Sequence, residues 1–139
     1  MIILDTNVVS EPYRRAPHPG VVQWLLAHGG EAAITTITAA EMYSGARRLR
    51  DPFRRQRMLD TLDEMFMSVA TIGRLVSFGH EESMAFGELR ATCEAAGRPR
   101  PHDDLMIAAV CKARNAPVAT RNVKDFEGLG VEVIDPWSA

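Results

Sequence analysis

The chain has 139 residues, 46% hydrophobic and 24% charged, with a formal net charge of -2, the makeup of an ordinary globular protein. Residues 1–139 read as a single domain, long enough to bury a core without staples, and the near-neutral charge excludes bulk attraction to nucleic acid, so any polyanion site is local. No apolar stretch approaches the roughly 20 residues that span a bilayer, and MIILDTN lacks the basic region of a signal peptide, so the expected location is the cytoplasm with no membrane partner.

Met1–Leu4 is a short apolar run breaking into Asp5–Thr6–Asn7, which predicts a buried strand ending in a polar loop. From Pro19 to His28 the apolar residues Val21, Val22, Leu25 and Leu26 recur at helical spacing and stop at Gly29–Gly30. Ala32–Ile37, rich in Ile and Thr, predicts a second strand. Thr38-Ala-Ala-Glu41 then fits a capping box opening the next helix. Asp51–Pro52 starts a long helix toward Met67, Arg74–Phe78 predicts a strand, and His80 to Ala96 a helix closed by Gly97. After the stiff Arg98–Pro99–Arg100–Pro101 loop, Asp103 or Asp104 caps a helix carrying Leu105, Ile107, Ala108, Ala109 and Val110. Pro117–Thr120 and Val131–Ile134 finish as strands. Short apolar strands alternating with helices define an α/β fold with a parallel sheet.

Ligands of open α/β sheets bind beyond the carboxyl ends of the strands. Asp5 leaves the first strand, Glu41 follows the second by a helical turn, Asn122 and Asp125 follow Val118–Ala119, and Asp104 opens the helix leading into that strand. Carboxylates gathered there repel one another unless a cation neutralises them or a pKa rises. Oxygen donors without thiol or imidazole favour Mg²⁺ or Mn²⁺, and such an ion activates water and stabilises charge on a phosphodiester. The implied chemistry is hydrolysis of a phosphate ester. Each residue also has a structural explanation: an Asx turn for Asp5, the capping box for Glu41, dipole complementation for Asp103–Asp104 and a turn closure for Asp125. Their shared position favours chemistry.

The strings MIILDTNVVSE, ITAAEMYSGARR, DDLMIAAVCKARNAPVATRNVKDF and VIDPW, in this order from Met1 to Trp137, resemble PIN-domain toxins of the VapC family, most of all its trafficking-regulator branch. The resemblance implies a PIN-like three-layer sandwich with a central, mostly parallel sheet flanked by helices. It implies a Mg²⁺- or Mn²⁺-dependent endoribonuclease, the toxin of a type II toxin–antitoxin pair, usually homodimeric and neutralised by a cognate VapB-like antitoxin. Position by position, Asp5, Glu41 and Asp104 become the core carboxylates, and Thr6 steadies the Asp5 loop with its hydroxyl. Relatives often carry Asp where this chain has Asn122, whose amide oxygen ligates a metal without adding charge; Asp125, three residues on, supplies the charge. Asp103 ranks as a capping residue.

Six arginines, Arg47, Arg48, Arg50, Arg54, Arg55 and Arg57, fall within eleven residues. They form a solvated helix face, a lane of phosphate contacts for RNA, or a dock for an acidic antitoxin segment. Met42, Met58, Met65, Met67, Met84 and Met106 read as core filling, Trp24 and Trp137 as packing anchors, His102 as a loop histidine, and Cys93 and Cys111 as reduced, partly buried thiols. Two other functions compete. A phosphatase with an aspartyl nucleophile wants a second acid where Asn7 stands and has no phosphate-cradling glycine loop here. A non-catalytic antitoxin-binding module would carry a degraded acid cluster, and Asn122 is the residue that speaks for it.

Overall fold

The structure, a computed structural model, describes residues 1–139. Its five strands are β1 (Ile2–Leu4), β2 (Ala32–Thr35), β3 (Leu75–Val76), β4 (Val118–Ala119) and β5 (Val133–Ile134). They lie in the order β3-β2-β1-β4-β5, every neighbouring pair parallel, so a sheet expected to be mostly parallel is wholly so. Parallel neighbours cannot be joined by hairpins, and each connection must cross a face of the sheet.

Seven helices make those crossings: α1 (Thr6–Ser10), α2 (Pro19–His28), α3 (Thr36–Arg47), α4 (Pro52–Thr71), α5 (His80–Ala95), α6 (His102–Arg114) and α7 (Val123–Phe126). Because successive strand residues point to opposite faces, the sheet feeds two cores. Ile3, Ala33 and Val118 face Leu89 and Cys93 of α5 and Leu105 to Cys111 of α6. Ile2, Leu4, Ile34 and Ala119 face Val8, Trp24, Leu59, Leu62 and Phe66. The result is the expected helix–sheet–helix layering.

The chain builds outward from β1 to β3, then returns to lay β4 and β5 on the other side of β1. The crossover direction therefore reverses between β1 and β4, and a crevice opens beyond their carboxyl ends. This is the feature that positions the site.

Several element boundaries differ from expectation. Asp5–Thr6–Asn7 is no loop: Asp5 is the N-cap of α1. The second strand stops at Thr35 rather than Ile37, because the Thr35 hydroxyl accepts from the Thr38 N–H at 3.2 Å and caps α3 three residues before the expected Thr38. Thr38 and Glu41 are therefore interior to α3, and the capping box expected there does not exist. The cap that opens α4 is as read, with Asp51 accepting from the Phe53 N–H at 3.0 Å and Pro52 behind it, but the helix runs past Met67 to Thr71. Helix α6 starts at His102 after Pro101, so His102 is helical and neither Asp103 nor Asp104 is a cap. Both aspartates sit in its first turn, where the helix dipole favours negative charge. The strands at 74–78, 117–120 and 131–134 are each trimmed to two residues.

Trp24 is buried, while Met67 and Met84, expected in the core, are 68% and 61% exposed. Cys93 and Cys111 are free and buried, and burial pushes the Cys111 thiol up to about 12. No helix is long and apolar enough to cross a membrane.

Candidate active site

Asp5 is the centre of the crevice. Its carboxylate is 3% exposed and held by three donors: the Thr6 N–H to Oδ1 at 2.8 Å, and the Asn7 amide at 3.1 Å and the Thr120 hydroxyl at 2.7 Å to Oδ2. Donors of this kind favour the ionised form, but burial outweighs them and holds the carboxyl above its ordinary range. Asn7 in turn accepts from the Arg121 N–H at 3.1 Å, and Thr120 accepts from the Asn122 N–H at 3.0 Å. The ends of β1 and β4 are thus stitched together through one carboxylate.

Glu41 reaches the same place from α3. It accepts from the Thr6 hydroxyl at 2.9 Å. Having one proton to give, Thr6 then accepts from the Thr38 hydroxyl, 3.1 Å away. The expected role of Thr6 is accordingly divided: its N–H holds Asp5 and its hydroxyl holds Glu41. Burial pushes the Glu41 carboxyl up, and the charges of Asp103 and Asp5 add to it. Asp103, expected to be only a cap, therefore contributes to the field around Glu41.

Asp104 approaches from the first turn of α6, half-buried. Burial, the charge of Asp5, a hydrogen bond with Asp125, and the charges of Asp125 and Glu41 push its carboxyl up to about 7. Asp104 therefore sits where a proton, or an ion of opposite charge in its place, relieves repulsion from its neighbours. Asp125 stands on α7, whose N-cap is Asn122. The Asn122 side chain is exposed and makes no hydrogen bond; only its backbone N–H enters the network, through Thr120.

Of the five predicted positions, Asp5, Glu41, Asp104 and Asp125 thus influence one another electrostatically, and Asn122 stands at the rim. The reading missed Thr120, Asn7 and Thr38. Once β1 is known to pair with β4, a threonine one residue past the end of β4, opposite the aspartate that follows β1, is the signal that points to Thr120.

The donor set is all oxygen, with neither cysteine nor histidine among it. No three of the chain's acidic, histidine or cysteine side chains are already gathered in a ligating arrangement. What the cluster has is carboxyls gathered where burial and mutual repulsion disfavour their charge. A hard divalent cation fits that chemistry.

A groove of about 300 Å³ leads away from the acids, lined by Thr6, Glu41, Tyr13, Leu49 and Met58 among others. Tyr13, Leu49 and Met58 also line an adjoining cavity of about 210 Å³ with Arg54 and Arg57. Of the six clustered arginines, these two lie along the lane from the acids. Arg48 bonds Ser44 and Arg55 the Leu49 carbonyl, and none of the six makes an ion pair.

Residues 2–130 match the family model for the PIN domain. The plasmid stability protein StbB of Pseudomonas syringae pv. tomato is 37% identical over 140 residues, covering 100% of both chains. VapC ribonuclease Y4jK of Sinorhizobium fredii is 33% identical over 99% of this chain and 98% of its own. The crystal structure of FitAcB from Neisseria gonorrhoeae superposes with a TM-score of 0.92 at 30% identity, covering 100% of both chains. The toxin FitB of that organism is 31% identical over 99% of each chain.

Proposed function

The chain belongs to the PIN-domain family, and from that premise we propose that it is the ribonuclease toxin of a toxin–antitoxin pair, cutting RNA at the Asp5–Glu41–Asp104–Asp125 cluster with a divalent ion. Relatives named ribonuclease and toxin match along almost the whole chain, which supports the activity. The observation that carries the site is that Thr6 holds Asp5 with its N–H and Glu41 with its hydroxyl, beside an Asp104 carboxyl that the charges of Asp5, Asp125 and Glu41 help to push up. Asn122, offered by the sequence as a further ligand, supplies at most a neutral oxygen from the rim.

Asp5, Glu41, Asp104 and Asp125 would hold Mg²⁺ or Mn²⁺. The ion supplies Lewis acidity toward a phosphodiester and lowers the pKa of water. The chain's own residues do the rest. Three donors hold the Asp5 carboxylate in one orientation, so no reorganisation is needed when charge arrives. Thr6 couples Asp5 to Glu41 through its backbone N–H and its hydroxyl, keeping the two carboxylates in register. Arg54 and Arg57, along the groove from Glu41, offset the repulsion that four acids would exert on an RNA strand.

A cognate antitoxin belongs to the same proposal, and the arginine-flanked groove beside Glu41 is where an acidic segment of it would compete with RNA. The alternative of a non-catalytic binding module rested on Asn122, and Asp125 weakens it by supplying the charge that Asn122 lacks. The test is cleavage of a mixed RNA substrate with Mg²⁺, with chelator, and by Asp5→Asn. Cutting confined to the metal-loaded wild type is expected. Equal cutting with chelator, or by folded Asp5→Asn, overturns the site.

A further inference from the structure

A cavity of about 570 Å³ lies away from the carboxylates. It lies between α5, α6 and the turn at Gly128–Gly130, and its walls set Leu89 and Leu129 beside Arg98, Arg100, Lys112 and a single acid, Glu88. That volume is within the range of about 300–1,000 Å³ in which proteins bind small molecules.

None of the three cations is neutralised by an ion pair; the chain's pairs are Arg14–Glu11, Arg90–Glu94 and Arg114–Glu82. Arg100 is aimed by two carbonyls, donating at 2.8 Å to Arg98 and at 2.8 Å to Glu127, and its buried Nε donates to nothing. The Lys112 ammonium rests over the backbone of Gly130, 3.0 Å from where a Cβ would stand, and Gly130 has a φ of +73°. Glycine takes that conformation freely and leaves the ammonium its place.

The charge balance selects the ligand. Glu88 offsets one of the three cations and leaves an excess of two. A phosphate monoester carries about -1.5 to -2 at neutral pH, whereas a carboxylate or an internal phosphodiester carries one charge. Guanidinium groups suit phosphate because they offer parallel N–H donors to its oxygens, and Leu89 and Leu129 present an apolar wall to whatever bears it. We propose that this cavity is a second site, binding a nucleoside monophosphate through its terminal phosphate, with Arg98, Arg100 and Lys112 as its contacts. The proposal does not depend on RNA cleavage.

The test titrates the metal-free full chain with 5′-AMP, adenosine and inorganic phosphate, following backbone amide resonances. AMP should move the signals of Gly128, Leu129 and Gly130 and adenosine should not. The double substitution Arg98→Gln, Lys112→Gln should weaken AMP at least tenfold; both side chains are exposed and bond to nothing, so the fold should stand. Asp5→Asn should bind AMP as the wild type does, which separates this site from the acidic one. No shift at millimolar AMP, equal shifts with adenosine, or an unaffected double variant overturns the site. Inorganic phosphate binding as tightly as AMP overturns the nucleoside half of the proposal. A double variant that raises KM for RNA while the wild type ignores AMP identifies an internal phosphodiester instead and also overturns it.

Discussion

The Thr120 hydroxyl donates to Asp5 Oδ2 at 2.7 Å, joining the end of β4 to the end of β1 across 115 positions of sequence. Both groups are buried, so this bond works in surroundings where an unmet partner costs about 1–3 kcal/mol. Thr120→Val should lower stability by about that amount, less whatever is regained by protonating Asp5. RNA cleavage should fall more than tenfold because Oδ2 loses its shortest donor. Thr120→Ser restores the hydroxyl and should recover most of both. Denaturant unfolding and single-turnover cleavage on the two variants check this, and a Val variant that cuts normally removes Thr120 from the positioning role.

Glu41 presents a cleaner separation of chemistry from structure. It caps nothing, and its one bond is received from Thr6 at 2.9 Å. A glutamine carbonyl oxygen accepts the same bond and removes a charge that burial and the neighbouring acids oppose, so Glu41→Gln should not lower metal-free stability. Cleavage should drop at least a hundredfold. Unchanged turnover would return the residue to a packing role.

The raised carboxyls make metal-free stability fall with pH. A folded-state pKa above the unfolded value means that protonation favours the native state. That contribution is fully present below the unfolded pKa and is lost as pH rises through the folded one. For Asp104 the window runs from about 4 to about 7, and Asp5 and Glu41, both shifted upward, act in the same direction. In chelator, wild-type Tm should therefore decline relative to Asp104→Asn between pH 5 and pH 8, the comparison removing contributions from carboxylates elsewhere. Mg²⁺ should raise the wild-type Tm more at pH 8 than at pH 5. Parallel melting curves for the two proteins would contradict the assignment.

Asp125 and Asn122 lie three residues apart and differ in what they touch. Asp125 acts on the Asp104 carboxyl and pushes it up, while the Asn122 side chain bonds to nothing. Mn²⁺ affinity, measured by calorimetry, should fall at least tenfold in Asp125→Asn and less than threefold in Asn122→Ala. The opposite ranking would place the amide in the metal shell and leave Asp125 as a turn residue.

The distribution of what could be read from sequence follows from the range of the forces. Runs such as Met1–Leu4 and the stop at Gly97 act within a few residues, so the elements and the α/β class were visible, and so was the convergence of Asp5, Glu41 and Asp104 at strand ends. The choice among Thr35, Thr36 and Thr38 as cap was not, because all three hydroxyls are chemically competent and the local sequence does not rank them. Thr120 was hidden for a related reason: its partner is set by the β1–β4 pairing, which no local pattern encodes. The exposure of Met67 and Met84 likewise depends on which helix faces remain uncovered after the layers assemble.

The arginines give the last prediction, and the structure changes which of them matter. Arg47, Arg48 and Arg50 are exposed at the end of α3 and just beyond, whereas Arg54 and Arg57 line a cavity that shares Tyr13, Leu49 and Met58 with the groove from Glu41. Each phosphate contact releases condensed counterions, so log affinity falls with log salt at a slope of about -0.7 per contact on a single strand. Arg54→Gln, Arg57→Gln should weaken RNA binding and flatten that slope by roughly 1 to 1.5, while the turnover of bound RNA stays within twofold. Arg47→Gln, Arg48→Gln should leave the slope unchanged. Should the Arg54–Arg57 face serve the antitoxin instead, the first double variant would keep its RNA salt dependence yet escape neutralisation. Filter binding of RNA across a salt series, run beside a neutralisation assay with the antitoxin, reads both outcomes from the same proteins.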